Sequence, residues 1–472
     1  MTITARMRIW GRRTALLGMS AALLAGAVAC NSSNTSSGSP TVAGGATAAA
    51  TSGTAPSNAA PSTPAPISVS EPAGTGSSSA ATSSGASSAA TSPSPTTALT
   101  PTTSTSLPPA QPAAAVIASP AFGTSGISPT QPISIAVKNG TIKALSLVNP
   151  TGKVVAGKLS ADDASWTLGE DLGYGKTYTV KGTALGRNGQ SVPISGTYTT
   201  LTPDDEAHAT ISPGDGDVVG VAAPIIVRFS SDPTSQKAEI EKRMKVVTTP
   251  AGQGSWAWIT HDGDTYPSLD WRPKVYWPQY TKVHVEADVY GAEFSDSVYG
   301  SADATSDFTI GRNQVVIANA KNYDIVVQQS GKTVATYPGS YGMGDDPNSR
   351  YGLNPELVTR SGIHIVMDKQ QTVSMSNPKY GYTNSIEHWA VRISDNGEFI
   401  HENPNTVGDQ GNTNVSHGCI NLSAESAEAY YNSAIYGDPV QISGTSVQLS
   451  AADGDIYDWA LSWSTWQSLS AL

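Results

Sequence analysis

The aromatic residues are confined to one part of the chain, and that confinement decides where it can fold. All 18 Tyr, all 5 Phe and every Trp except Trp10 lie beyond residue 115. Before that point Ala, Ser, Thr, Pro and Gly dominate. Such a segment cannot bury enough apolar surface to offset the entropy of ordering its backbone. Packed cores are therefore expected only after residue 115, where a chain of 472 residues still leaves room for several domains. The formal net charge of −11 argues against non-specific nucleic-acid binding, which needs basic patches. It identifies no partner by itself.

The start of the chain reads as an address, not as structure. Arg6, Arg8, Arg12 and Arg13 precede an apolar run from Ala15 to Ala29. That run is too short and too rich in Ala for a membrane span. Arg12-Arg13 is the pair expected of a twin-arginine export signal, although ordinary export signals carry such pairs too. Ala27-Val28-Ala29-Cys30 resembles a bacterial lipoprotein signal, which implies cleavage before Cys30 and lipidation of its thiol. A plain A-x-A cleavage site is the alternative. Residues 1–29 are thus expected to be the signal. Residues 30–115 are expected to be a disordered tether rich in Ser, Thr, Pro and Ala. The protein would be exported and held by lipid on the outer face of the cell membrane.

From Val116 to Ile310 the pattern is that of short antiparallel strands. Ile133, Ile135 and Val137 alternate with small or polar neighbours, as do Tyr178 and Val180, and Val283, Val285, Ala287 and Val289. Period two means one buried face and one wet face. Turn clusters such as Asn139-Gly140 and Arg187-Asn188-Gly189 recur between the runs, which predicts β-sandwiches. A polar stretch at Asp204-Asp205-Glu206 divides the region into modules at 116–202 and 203–311. Ile127-Ser128-Pro129 and Ile211-Ser212-Pro213 suggest a tandem repeat in which these segments correspond. Trp256, Trp258, Trp271 and Trp277 in the second module are expected to fill its core; a carbohydrate platform is the alternative.

A third region, 312–443, opens with strand-like runs at Gln314–Ala318 and Tyr323–Gln328. Asp395-Asn396-Gly397 between two further runs predicts a hairpin, with His401 near the end of the returning strand. Ser423 is expected to cap a helix over Ala424–Ala434. The last segment, 444–472, carries Trp459, Trp463 and Trp466 at spacings that share one helical face. It is expected to pack on the catalytic domain.

The chemistry concentrates in Ser416-His417-Gly418-Cys419-Ile420-Asn421. A thiol is a good nucleophile only as thiolate and so needs a base nearby. In an extended chain residues two apart share a face, so His417 and Cys419 could meet locally. Gly418 would let a substrate carbonyl approach the backbone, and the Ser416 carbonyl could fix the His417 tautomer. An inert buried cysteine is one alternative. A metal site is another, but one Cys and two His fall short of a closed zinc site.

His401, eighteen residues before Cys419, completes a pattern that resembles the signature of the L,D-transpeptidase catalytic domain, the YkuD-type fold. The layout of signal, tether, two modules, catalytic domain and short extension is similar to that of actinobacterial members. The resemblance implies a mainly β chain: two immunoglobulin-like sandwiches, a mixed-sheet catalytic domain with a helix after the catalytic loop, and a short helical tail. It implies Cys419 as nucleophile and His417 as general base and acid. The backbone at Gly418 and Cys419 would form the oxyanion hole, with Ser416 part of the catalytic loop. His401 would lie in the pocket and bind substrate or tune the thiol. Asn421 would orient the loop, and Tyr382 and Met367 would line the substrate channel in a hairpin flap. Asn405 departs from the pattern, standing where relatives carry an aromatic.

The implied reaction is 3→3 cross-linking of peptidoglycan stem peptides through a Cys419 thioester, with D-Ala released from a tetrapeptide donor. Carbapenems would acylate the same thiol, and no metal or organic cofactor is implied. Three rivals stand beside it: an L,D-carboxypeptidase or cysteine endopeptidase, a transferase attaching another amine to the wall, and a non-catalytic lipid-anchored scaffold.

Overall fold

The structure is a computed structural model that describes residues 110–472, apart from 262, 454 and 455. The expected signal, Cys30 and nearly all of the expected tether lie outside the described residues.

Two β-sandwiches come first. In one, the strands Ala115–Ser119, Ser134–Lys138, Ser165–Leu168 and Gly157–Leu159 make one sheet. The long pair Thr177–Gly186 and Ser191–Thr200 anchors the facing one. Ile133, Ile135, Tyr178, Val180 and Tyr198 fill the space between, so the period-two residues are the buried ones. The second sandwich sets Ile225–Phe229 and Ser268–Pro273 against Lys282–Ala287 and Ala304–Ile310. Trp258, Trp271 and Trp277 are buried in its core, with Trp256 packed against it, so these rings fill space and form no exposed platform.

The expected repeat register is shifted. Ala209–Ser212 pairs antiparallel with Ile225–Phe229, and its counterpart in the first sandwich is Ala115–Ser119, which pairs antiparallel with Ser134–Lys138. The segment around Ile127 instead lies parallel to Ser191–Thr200, as Val218–Val219 lies parallel to Ala304–Ile310. A shared Ile-Ser-Pro triplet fixed neither sheet nor direction, because strand pairing is a long-range choice.

The catalytic region has two sheets. The first contains β1 (Gln314–Asn319), β2 (Asp324–Gln329), β3 (Lys332–Pro338), β4 (Gly362–Ile365) and β9 (Pro439–Ser443), in the order β3-β2-β1-β9-β4. The second is β5-β6-β7-β8: Asp368–Asn377, Tyr382–Arg392, Phe399–Glu402 and Ile420–Leu422. β5 and β6 form a long hairpin. β6 and β7 pair antiparallel across the Asn396-Gly397 turn, as the sequence predicts. Helix α1 (Ala424–Ser433) follows β8, and the Ser423 hydroxyl accepts from the Ser426 N–H at its N-terminus. Tyr430 on its inner face is fully buried.

The tail meets expectation in its first part, where Ser446, Leu449 and Asp453 bond to Asp345, Ser361 and Arg360, and departs from it after that. Its helix α2 (Trp463–Gln467) sits on the second sandwich, not on the catalytic domain. Trp466 is fully buried against Ala257 and Ile259, and its indole N–H donates to the Ser255 carbonyl at 2.9 Å. Burying such a ring contributes at most about 4–6 kcal/mol. Trp459 lies outside that helix and donates to the Ala222 carbonyl at 2.8 Å. Arg272 of the same sandwich lies over the rings of Trp459, Trp463 and Trp466 at 4.5–5.3 Å. This cation gathers the three indoles, which explains the seat. The tail reaches the catalytic domain through Ile456 against Ile365 and Asp453 against Arg360.

Candidate active site

The second sheet of the catalytic region builds the site. β7 and β8 run side by side and parallel, with His401 opposite Asn421 and Ile400 opposite Ile420. Cys419 immediately precedes β8. Parallel pairing therefore brings His401 to Cys419 although eighteen residues separate them. The connecting loop is pinned from outside: the Ser416 N–H donates to the Tyr341 carbonyl, and the Met343 N–H donates to the Ser416 carbonyl, each at 2.9 Å. The Ser416 hydroxyl donates to the Cys419 carbonyl at 2.6 Å and accepts from the Gly418 N–H at 3.1 Å. Gly418 has φ +131°, a conformation that L side chains rarely adopt. Its Cβ position is otherwise uncrowded, so glycine is required by the backbone and not by space.

That bend at Gly418 corrects the expected local pair. Residues 417–419 are not extended, so the period-two argument fails there. The His417 ring turns into a cage of Tyr351, Tyr380 and Tyr382, with ring centroids 5.2–5.9 Å away. Arg350 donates to His417 Nε2 at 3.0 Å, so that lone pair is taken. Burial and the Arg350 charge both lower the His417 pKa, which keeps the ring neutral. The Ser416 carbonyl, occupied by Met343, does not serve as the expected orienting acceptor.

His401 is the imidazole that faces the thiol. It is almost completely buried, and its Nδ1 lies 2.6 Å from the Glu402 carbonyl oxygen and 3.3 Å from Glu387 Oε2. Burial alone would favour the neutral ring. Interactions with the neighbouring Cys419 and Glu387 outweigh it, and the His401 pKa is pushed up to about 10. Cys419 is half-buried, and its Sγ is 3.5 Å from the Gly397 carbonyl oxygen. Among the described residues, no acceptor engages the Cys419 N–H, whereas the Gly418 N–H is taken.

Two cavities meet at Cys419. One, of about 220 Å³, is lined by His401, Glu387, Tyr382, Met375, Thr406 and Asn421 among others. The other, of about 260 Å³, runs along the hairpin past Ser374, Met375, Asn377 and Gly397. Tyr382 and His417 border both. Asn421 is buried; its backbone pairs with Ser340 in both directions and its amide donates to Thr406 Oγ1 at 3.3 Å.

Met367 is misplaced by the sequence reading. It packs against Ile226, Ile365 and Ile456 and lines a cleft of about 740 Å³ between the second sandwich and the catalytic region. It stands just before β5, whereas Met375, eight residues on, reaches the site. Glu387, Arg350, Tyr351 and Tyr380 also belong to the site and were not singled out. Nothing in a single sequence separates a partly buried strand carboxylate such as Glu387 from a solvated one. Asn405 is exposed. His364 lies between the Ile393 and Arg360 carbonyl oxygens, 3.1 Å from Nδ1 and 2.9 Å from Nε2, and His388 pairs with Thr372.

Metal-binding side chains converge elsewhere, beneath the tail. His261, Asp270 and Asp458 offer ligand atoms within 4.8 Å of one another, and all three are buried. His261 Nε2 already lies 2.8 Å from Asp270 Oδ2, and Arg272 adds a buried guanidinium to the same interior. Burial and the neighbouring Asp270 push the Asp458 pKa up to about 7. None of these residues lines either cavity at Cys419.

Comparison with known proteins follows this geometry. Residues 313–442 match the model of the L,D-transpeptidase catalytic domain, and residues 124–293 match a bacterial Ig domain. A solved L,D-transpeptidase in complex with imipenem is 29% identical, with a TM-score of 0.41, covering 51% of this chain and all of its own. L,D-transpeptidase 2 of Mycobacterium tuberculosis is 32% identical over 74% of this chain and 83% of its own. L,D-transpeptidase 5 of the same organism is 46% identical over 76% of this chain and 78% of its own. With Ig-like sandwiches ahead of a YkuD catalytic domain, and identity sustained over that length, the chain belongs to the L,D-transpeptidase family of enzymes.

Proposed function

We propose that the enzyme forms 3→3 cross-links between peptidoglycan stem peptides, with Cys419 as nucleophile and His401, in place of His417, as general base and acid. The observation that carries this reading is the buried His401 ring, which lines one cavity with Cys419 and has Glu387 and the Glu402 carbonyl at its Nδ1. The Cys419 sulfur attacks the carbonyl carbon of the third residue of a tetrapeptide donor. The Cys419 N–H receives the oxyanion. Collapse breaks the peptide bond to the terminal D-Ala, whose amine leaves with the proton from His401. A thioester remains and His401 is neutral. The side-chain amine of a second stem peptide then gives its proton to His401 and attacks the thioester. The sulfur leaves as thiolate beside a protonated imidazole, which restores the starting state. Two cavities converging on one sulfur suit a donor and an acceptor entering from different sides. Tyr382 and Asn421 are assigned to substrate contact and loop support.

Carbapenems bring a strained acyl carbon that the same sulfur can open. Cys30 is assigned as the lipidation site, which places the catalytic region on the outer face of the membrane. The tether and sandwiches then act as a spacer towards the wall.

The test is mass analysis after incubation with a disaccharide-tetrapeptide. A dimer of donor mass plus acceptor mass, less one Ala, is expected from wild type and absent from Cys419→Ala. Tripeptide alone would mean that water is the acceptor and the enzyme is a carboxypeptidase. A carbapenem should leave one stoichiometric adduct on wild type alone; no adduct on either protein would overturn the nucleophile.

A further inference from the structure

The hairpin that borders the site carries a carboxylate that the reaction above does not use. Glu387 lies on β6, and its Oε2 is 3.3 Å from His401 Nδ1. The side chains are 13% and 4% exposed, so the contact is sheltered from screening by water. Ser385, two residues earlier on the same face of β6, donates its hydroxyl to Glu387 Oε1 at 2.7 Å. One carboxylate oxygen is thus held by Ser385 and the other is aimed at the imidazole. The Glu402 carbonyl oxygen shares Nδ1 at 2.6 Å.

We propose that Glu387 is a positioning residue of the reaction, which clamps His401 through Nδ1 so that Nε2 faces the Cys419 sulfur. This inference rests on the assignment of His401 as the base. The Glu402 carbonyl could fix the tautomer without help, but a neutral acceptor does little for a charged ring. A carboxylate stabilises imidazolium over imidazole, and imidazolium in turn stabilises thiolate over thiol. The pairing also explains how a carboxylate survives burial there. Burial raises the Glu387 pKa, and the bonds from His401 and Ser385 reverse that and lower it. An ionised carboxylate without such partners would be costly in this position.

The other titratable groups around the pair do not replace it. His388, next in sequence, acts on Glu387 only through its charge, and Tyr382 lies beside both Glu387 and Cys419. His417 is neutral and turned to Arg350. Among the described residues, Glu387 is the carboxylate whose charge acts on His401. Glu387 sits on β6 of the hairpin, His401 on the adjacent β7 and Cys419 just before β8. The base is therefore set by an element that also forms the cavity wall.

The experiment is the rate of Cys419 alkylation by iodoacetamide as a function of pH, on the intact protein. Wild type, Glu387→Gln, Ser385→Ala and His401→Asn are compared, with Cys419→Ala as the blank. Gln keeps the size and loses the charge. The expected result is an upward shift of the alkylation midpoint by at least one pH unit in Glu387→Gln, a loss of about tenfold in rate at pH 6. Ser385→Ala should shift it the same way by less. Turnover of Glu387→Gln should fall in kcat with KM within twofold, because the carboxylate aids the base and not substrate binding. If His401→Asn shifts the midpoint and a folded Glu387→Gln does not, the Glu387 role is overturned and the base stands. If His401→Asn leaves the midpoint unmoved, both assignments fall. Should Glu387→Gln not fold, an unshifted Ser385→Ala decides against the proposal.

Discussion

Two imidazoles stand within one catalytic loop's reach of Cys419, and their surroundings differ in nearly every respect. His401 is buried on β7, beside a carboxylate, a carbonyl and the thiol. His417 is half-exposed, boxed by three phenol rings and bonded to a guanidinium. The first environment raises the pKa and the second lowers it. Adjacency in sequence favours His417, because it is two residues from Cys419. Geometry favours His401, because the fold supplies it with opposite charges and denies His417 the same. The base of a nucleophile is chosen by what surrounds each ring, not by which ring is nearest in the chain.

The largest effect should separate the two histidines directly. His401→Asn is expected to lower the acylation rate by about 10²–10⁴-fold, the usual worth of a positioned general base. His417→Asn is expected to cost about tenfold, roughly 1.4 kcal/mol, through loss of a substrate wall. Stopped-flow acylation by a carbapenem measures both. Equal losses, or the reverse order, would end the distinction drawn between them.

A smaller effect tests why His417 stays neutral. Arg350→Ala removes the nearby charge and frees Nε2, so the His417 resonance should titrate at higher pH than in wild type while that of His401 does not move. Histidine NMR across pH 5–8 reads both rings in one experiment. Acylation at pH 8 should change by no more than a few-fold, because a neutral wall residue is still neutral there. A His417 titration unmoved by Arg350→Ala would mean that burial alone holds it down.

Much of this fold is legible in the sequence because alternation and turn chemistry are local. Ile133, Ile135 and Val137 are buried as their period demands, and Asn396-Gly397 does join β6 to β7. The loop carrying Cys419 could be found for the same reason: its residues are contiguous. What was not legible depends on pairing between distant segments. The partner of Cys419 follows from the parallel register of β7 and β8, which no local pattern encodes. Met367 and Met375 belong to the same run, yet only one reaches the cavity, because the start of β5 packs towards the second sandwich. The tail helix sits on that sandwich because Arg272 gathers its indoles, a contact across nearly two hundred residues. Gly418 shows the opposite lesson: its presence was read as room for substrate, while its positive φ is what turns His417 away.

The smallest expected effect is on stability, and it carries the sign of the His401 environment. Its folded-state pKa of about 10 exceeds the ordinary value of 6.5, so between them the folded protein holds a proton that the unfolded chain releases. The stabilisation from this group is therefore complete below about pH 6.5 and fades as pH rises towards 10. His417 has the opposite sign: its lowered pKa favours the folded state at neutral pH, and that advantage fades as pH falls through 6.5. Below pH 6.5 only His417 therefore changes stability with pH, and on the alkaline side only His401 does. Melting temperatures of wild type and His401→Asn, followed from pH 6 to pH 10, should converge as pH rises. A gap that stays constant would mean that His401 is not charged in the folded enzyme, and the contrast between the two imidazoles would rest on orientation alone.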